Sequence, residues 1–180
     1  MNWAMGGPPV KVYGMGGRQV RTDPAYGHIF DHFAIEYEFA NGARWTGQCR
    51  QIDGTASRVS EDILGTKGSA WTGGIRGDKP WRFEGDERNP YEQEHVDMIA
   101  GIQAGKPLNE AKRIAESTLT AIMARESAYT GQEITWDEIM KSPLSLAPAP
   151  LDTLTLDMKL PVPAVAQPGK TKLDRKEFGV

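Results

Sequence analysis

Between residues 33 and 50 the chain alternates apolar and polar positions twice. Phe33, Ile35, Tyr37 and Phe39 alternate with Ala34, Glu36 and Glu38. Past Asn41-Gly42, Ala43, Trp45, Gly47 and Cys49 alternate with Arg44, Thr46, Gln48 and Arg50. A period of two marks strands with one covered and one open face. A two-residue turn would set Phe39 opposite Arg44 and mix the faces, which the pleat disfavours. A three-residue loop, Ala40-Asn41-Gly42, with the glycine left-handed, keeps them apart. Tyr37 then faces Trp45, Ile35 faces Gly47 and Phe33 faces Cys49, while Glu38 meets Arg44, Glu36 meets Thr46 and His32 meets Arg50. The pattern therefore predicts a bulged hairpin with one apolar and one polar face. Residues 10–15 form a further strand-like run, with weaker ones at 58–64, 69–72 and 81–83.

From residue 89 the period lengthens to that of a helix. Asn89-Pro90-Tyr91-Glu92 supplies an N-cap, a proline at the first helical position and an acid in the first turn. His95, Met98, Ile99 and Ile102 share one face, and Gly105 ends the helix. A second helix starts near Asn109 with the stripe Ala111, Ile114, Ala115, Thr118, Leu119 and Ile122, and Gly131 ends it. Thr135 with Glu138 is a capping box that opens a short helix to about residue 140. Both main stripes are expected to pack on Phe33, Ile35, Tyr37 and Trp45. Beyond residue 142, Pro143, Pro148, Pro150, Pro161, Pro163 and Pro168 break regular structure. Leu154, Leu156, Met158 and Leu160 alternate, so this arm can add one edge strand, and residues 171–180 read as a loose charged tail. The expected fold is α+β: a mostly antiparallel, open-faced sheet of about five or six strands with two main helices on one face. Residues 1–142 would form the domain and 143–180 an extended proline-rich arm.

A length of 180 residues suits one domain of ordinary size. The formal net charge of −3 offers no basic field for nucleic acid. No apolar run approaches the ~18 residues that span a bilayer. The single cysteine, Cys49, leaves no internal disulfide, and a reducing, cytoplasmic setting is expected. The polar face of the sheet is then the surface left for a small polar ligand or for another subunit.

Several short motifs resemble, in order and spacing, one family. Tyr91-Glu92-Gln93-Glu94-His95-Val96-Asp97-Met98-Ile99, then Gly105-Lys106-Pro107 and Ala115-Glu116-Ser117-Thr118-Leu119, resemble the helical return of the glucose–fructose oxidoreductase, inositol dehydrogenase and MocA family. Glu126-Ser127-Ala128-Tyr129-Thr130-Gly131 is similar to the end of that segment, and Gly65-Thr66-Lys67-Gly68 to its glycine-rich turn. Gly16-Gly17-Arg18-Gln19-Val20-Arg21 and His28-Ile29-Phe30-Asp31-His32 resemble the sheet region of a bacterial subgroup. The resemblance covers roughly residues 1–170 and corresponds to the family's C-terminal domain. Family members also carry an N-terminal Rossmann domain with a GxGxxG turn. Gly14-Met15-Gly16-Gly17 fails that pattern, so no NAD(P) site is expected in these residues. The family's catalytic histidine precedes a stretch matched here by Trp3-Ala4-Met5-Gly6. The resemblance thus implies a truncated or stand-alone substrate-binding and oligomerisation domain of a sugar or polyol oxidoreductase, forming a homodimer or larger assembly through its open sheet.

Arg18, Arg21 and Arg50 are the candidate substrate-binding residues, because forked guanidinium donors suit a carboxylate or a hydroxyl pair. The competing reading pairs Arg18 and Arg21 with Asp23, Asp31 or Glu36. Arg50, Gln48 and Glu36 on the polar face fit a subunit interface better than catalysis. His28, Asp31 and His32 offer two imidazoles and a carboxylate, a plausible divalent-metal set. Such a metal could activate water, giving the alternative of a small metal-dependent hydrolase acting on a lactone, ester or glycoside. The plainer reading has these three side chains capping the strand. Glu84, Asp86 and Glu87 read as a solvated turn rather than a calcium loop, His95 as a core histidine and Cys49 as inert packing. No GxSxG elbow supports a serine hydrolase.

Overall fold

The alternating run His32–Glu38 pairs antiparallel with Arg44–Arg50 in the register its pattern requires: Tyr37 opposite Trp45, Ile35 opposite Gly47, Glu36 opposite Thr46, His32 opposite Arg50. The connecting loop closes through Phe39 N donating to Ala43 O at 2.9 Å and Gly42 N to Phe39 O at 2.8 Å. Gly42 sits at φ +80°, a left-handed conformation that a side chain would strain.

The computed structural model describes residues 1–146 and 154–176. In chain order the elements are α1 (Asn2–Met5), β1 (Lys11–Gly17), a 3-10 turn (Pro24–Tyr26), β2 (His32–Glu38), β3 (Arg44–Arg50), β4 (Asp62–Gly65), β5 (Gly68–Trp71), β6 (Gly74–Gly77), β7 (Trp81–Arg82), α2 (Pro90–Gln103), α3 (Ala111–Thr130), β8 (Ile134–Thr135) and α4 (Trp136–Lys141). The fold is α+β. The chain divides into two units, Met1–Asp53 with Ala111–Val180, and Gly54–Glu110.

In the first unit a four-stranded antiparallel sheet runs in the order β3-β2-β1-β8. One face carries the core: Val12, Ile35, Tyr37 and Ile134 from the strands meet Met123, Ala124 and Ala128 of α3, with Phe39 and Ile139. The helix approaches β1 closely because Gly14 has no side chain. A Cβ there would lie 2.9 Å from Ile35 Cδ1 and 3.1 Å from the Ala124 carbonyl oxygen. In that gap the Gly14 amide donates to Ser127 Oγ at 2.8 Å. Tyr37 stacks on Trp45 at 4.6 Å, and its hydroxyl donates to the Thr120 carbonyl; burial pushes that hydroxyl's pKa up to about 12. The capping box at Thr135 and Glu138 forms as expected and opens α4.

The second unit holds the meander β4-β5-β6-β7 and α2. The Asn89 side chain accepts from the Tyr91 amide with Pro90 at the first helical position, and Gly105 follows at φ +66°. The glycine stop therefore falls where the sequence puts it. Among residues 54–110 only Gly74 is buried.

Several expectations need correction. The strands form two four-stranded sheets rather than one of five or six. The sheet of the first unit is covered by α3, whereas α2 belongs to the second unit and buries none of its residues. On α3 the buried face lies in the C-terminal half, and Ile114 is exposed. The reason is local: the approach allowed by Gly14 brings the Met123–Ala128 turn, not the first turns, onto β1. Cys49 is exposed on the edge strand β3 rather than packed. Residues 154–160 form no strand. The tail is anchored as far as residue 176, with Leu173 packed against the core and Ser145 bridged to Lys176.

Candidate functional site

Because side chains alternate across a strand, β1, β2 and β3 turn a second face away from α3. Their register places four rows on it: Lys11–Glu38–Arg44, Tyr13–Glu36–Thr46, Met15–Ala34–Gln48 and Gly17–His32–Arg50. The first row is a charge network. Lys11 Nζ lies 3.2 Å from Glu133 and 3.7 Å from Glu38, and Arg44 lies 2.9 Å from Glu36 and 3.7 Å from Glu38. The hydrogen bond that Lys11 donates to Glu133 raises the Lys11 pKa, with the charges of Glu133 and Glu38 adding to it. Exposed pairs of this kind contribute little to stability because water and salt screen them, so their weight here is in orienting the face. A shallow depression of about 210 Å³ opens among these charges. In the middle rows Tyr13 and Met15 stand 51% and 58% exposed. The face is thus an aromatic and thioether centre between two polar ends.

The fourth row is built by the loop from β1 to β2. Asp31, 2% exposed, accepts on Oδ2 from the amides of Gln19, Val20 and Arg21 at 2.8, 2.7 and 3.0 Å. Its Oδ1 accepts from His32 Nδ1 at 2.7 Å. Burial pushes the Asp31 carboxyl upward, but the amides of Arg21 and Val20, the His32 side chain and the Gln19 amide outweigh it. Together they hold the group well below the usual carboxylate range. An ionised carboxylate only accepts, so the proton of that bond sits on His32 Nδ1. The imidazole lies across Gly17, where a Cβ would stand 3.1 Å from its Cε1. A residue larger than glycine there would displace the ring.

The three candidate arginines separate. Arg18 donates to the Gly27 and Asp23 carbonyls, and Asp23 caps the 3-10 turn by accepting from Ala25 N. Arg21 Nε donates to the Gln51 carbonyl at 2.7 Å, and its guanidinium lies 5.0 Å from the Tyr26 ring centre. Both hold the loop together through backbone and ring rather than through the carboxylates of Asp31 or Glu36. Arg50 stays on the exposed face opposite His32. His28 is half-buried in the loop. Among the described residues, no group of three or more His, Cys, Asp and Glu is placed to share a metal ion. Asp31 and His32 are brought together, but as a carboxylate–imidazole pair.

Sequence reasoning missed a second polar centre under α3. Glu126 is fully buried. Arg125 Nη2 lies 2.8 Å from it, and both Glu126 oxygens accept from Arg175 of the tail. Tyr129 beside it packs against Phe30 at 4.6 Å, with both guanidiniums within 6 Å of its ring. The signal available was a glutamate flanked by the small residues Ala124, Ser127 and Ala128, a composition that buries.

No family model and no curated protein matches the chain. Solved structures do. The aldose-aldose oxidoreductase from Caulobacter crescentus, complexed with glycerol, is 16% identical with a TM-score of 0.56, over 72% of this chain and 42% of that one. A putative oxidoreductase from Thermotoga maritima is 19% identical with a TM-score of 0.53, over 74% and 42%. A probable dehydrogenase from the same organism is 16% identical with a TM-score of 0.55, over 77% and 46%. The chain shares its fold with part of these oxidoreductases and spans less than half the length of each. Among the described residues no helix is long and apolar enough to cross a membrane.

Proposed function

We propose that the chain is the C-terminal, substrate-side sheet domain of a sugar or polyol oxidoreductase of the glucose–fructose oxidoreductase, inositol dehydrogenase and MocA family. It serves binding and self-association, and the nicotinamide is held elsewhere. The fold shared with oxidoreductases, one of them an aldose–aldose enzyme holding glycerol, supports the family. The observation that carries the role is the open sheet face, where Tyr13 and Met15 stand exposed between the Lys11–Glu38–Arg44 row and the His32–Arg50 row. An aromatic and thioether centre with a polar rim is the anatomy of an interface rather than of a solvated strand. Hydride transfer requires the nicotinamide to be held against the substrate carbon, and in this reading a glycine-rich domain outside these residues holds it.

Sedimentation velocity of the purified chain tests the face. Association is expected, and Tyr13→Arg with Met15→Glu should weaken it at least tenfold while leaving the circular-dichroism spectrum unchanged. Unaltered association in that double variant would overturn the assignment of the face. A titration with NADH, followed by quenching of the tryptophans, should show no saturable binding.

A further inference from the structure

No residue of 154–176 is fully buried, yet the end of this segment is tied to its own chain at three points. The Gly169 amide donates to the Thr130 carbonyl at 2.7 Å, with Pro168 seated against Gly131. Ser142 Oγ donates to the Leu173 carbonyl at 3.1 Å. Arg175 Nη1 and Nη2 donate to Oε2 and Oε1 of Glu126 at 2.5 and 3.3 Å. A segment held by hydrogen bonds and one ion pair, with little burial, opens locally at low cost. The site it covers does not tolerate the loss. Glu126 is fully buried and lies near the C-terminal end of α3, where the helix dipole disfavours a negative charge. Arg125 cannot take over. Its Nε already donates to Oε1 at 2.9 Å, and its buried Nη2 makes no hydrogen bond. Among the described residues only Arg175 donates to Oε2.

We propose that residues 167–176 are a releasable clasp that holds the end of α3 on β1, with Arg175 as its catch. The residue after Glu126 carries the link. Ser127 Oγ donates to the Gln132 carbonyl at 2.5 Å and accepts from the Gly14 amide at 2.8 Å. Gly14 in turn lies between Tyr13 and Met15 on β1. With Arg175 in place, Glu126 stays inside and Ser127 meets Gly14. With Arg175 away, a buried carboxylate oxygen lacks its donor, which is strongly destabilising. Glu126 then turns toward water, the turn of α3 that carries Ser127 moves with it, and the Gly14 amide loses its acceptor. Because Tyr13 and Met15 flank that amide, the clasp sets how firmly β1 presents the open face. This regulation rests on the role proposed above for that face; the clasp itself does not.

Hydrogen exchange of the full chain, followed amide by amide by NMR, tests the clasp. Arg175→Gln removes the catch. Gly169→Pro frees the tail by a second route, because it removes the amide that bonds Thr130 and leaves Arg175 unchanged. In each variant the Gly14 amide is expected to exchange roughly tenfold faster or more than in the unaltered chain. The Phe39 amide, bonded to the Ala43 carbonyl in the hairpin, should keep its rate within about twofold. An unchanged Gly14 rate would overturn the proposal. Equal acceleration at Gly14 and Phe39 would overturn it too, since the tail would then act only through overall stability. Sedimentation velocity of the same variants reads the regulation, and weaker association is expected in both. An unaltered chain that does not associate overturns the role of the face and the regulation with it, whereas Gly14 exchange alone decides the clasp.

Discussion

Met123 in α3 is fully buried, whereas Met98 in α2 is 49% exposed, although both sit in helical stripes. The contrast extends to whole units. In the first, α3 sets Met123, Ala124 and Ala128 on Val12, Ile35 and Ile134. In the second, Ile75, Trp81, Phe83, Ile99 and Ile102 all remain 42% exposed or more. Amphipathic spacing states which side of a helix is apolar; it does not state what lies opposite. Here the decisive difference is that β1 offers glycine where a helix must come close, and the Gly14 amide even donates to Ser127 of α3. The first unit accordingly has a core of its own, and the second supplies apolar surface without one.

Paired substitutions sharpen this contrast, and the largest effect is expected at Glu126. Removing a buried, doubly paired carboxylate strands two guanidiniums, so Glu126→Ala should cost about 3–5 kcal/mol. The matching Glu94→Ala on α2, at an exposed site, should stay within about 0.5 kcal/mol. Urea unfolding midpoints measure both. Next, Met123→Ala should cost about 2–5 kcal/mol by leaving a cavity, against about 0.5 kcal/mol or less for Met98→Ala. Equal losses at the two methionines would break the distinction between the units. Gly14→Ala should cost about 1–3 kcal/mol through overpacking against Ile35 and α3, read as a drop in melting temperature.

The last prediction, and the only one read as a dependence on pH, concerns Asp31. Its folded pKa lies below the unfolded value, so its stabilisation is complete above about pH 4 and is lost as the pH falls below that. Asp31→Asn should flatten the decline of unfolding midpoints between pH 4 and pH 2. An unchanged slope would mean that the three amides and His32 contribute nothing that depends on the charge.

How much of this was legible follows from range along the chain. The hairpin register, the left-handed Gly42, the Asn89 cap, the Thr135–Glu138 box and the glycine stops after α2 and α3 all came from periodicity and short-range chemistry. Which side chains of β2 and β3 share a face came with them, because alternation assigns every side chain to a face once the register is known. The role of Asp31 was half legible: its place before a strand suggested a cap, but the three amides it gathers belong to a loop ten to twelve residues away. The bonds of Arg18 and Arg21 to carbonyls were not legible, because spacing says nothing of how the loop turns toward them.

Local pattern determined which residues pair across the hairpin, where helices begin and end, and which sides are apolar, since those depend on neighbours within a few positions. Only the tertiary structure decided that α3 covers the sheet of the first unit while α2 buries nothing, and that Arg175 meets Glu126 from 49 residues away. Burial and long-range ion pairing depend on which surfaces meet. That is set by a close approach at one glycine and by the path of a proline-rich arm, neither of which has a period to read.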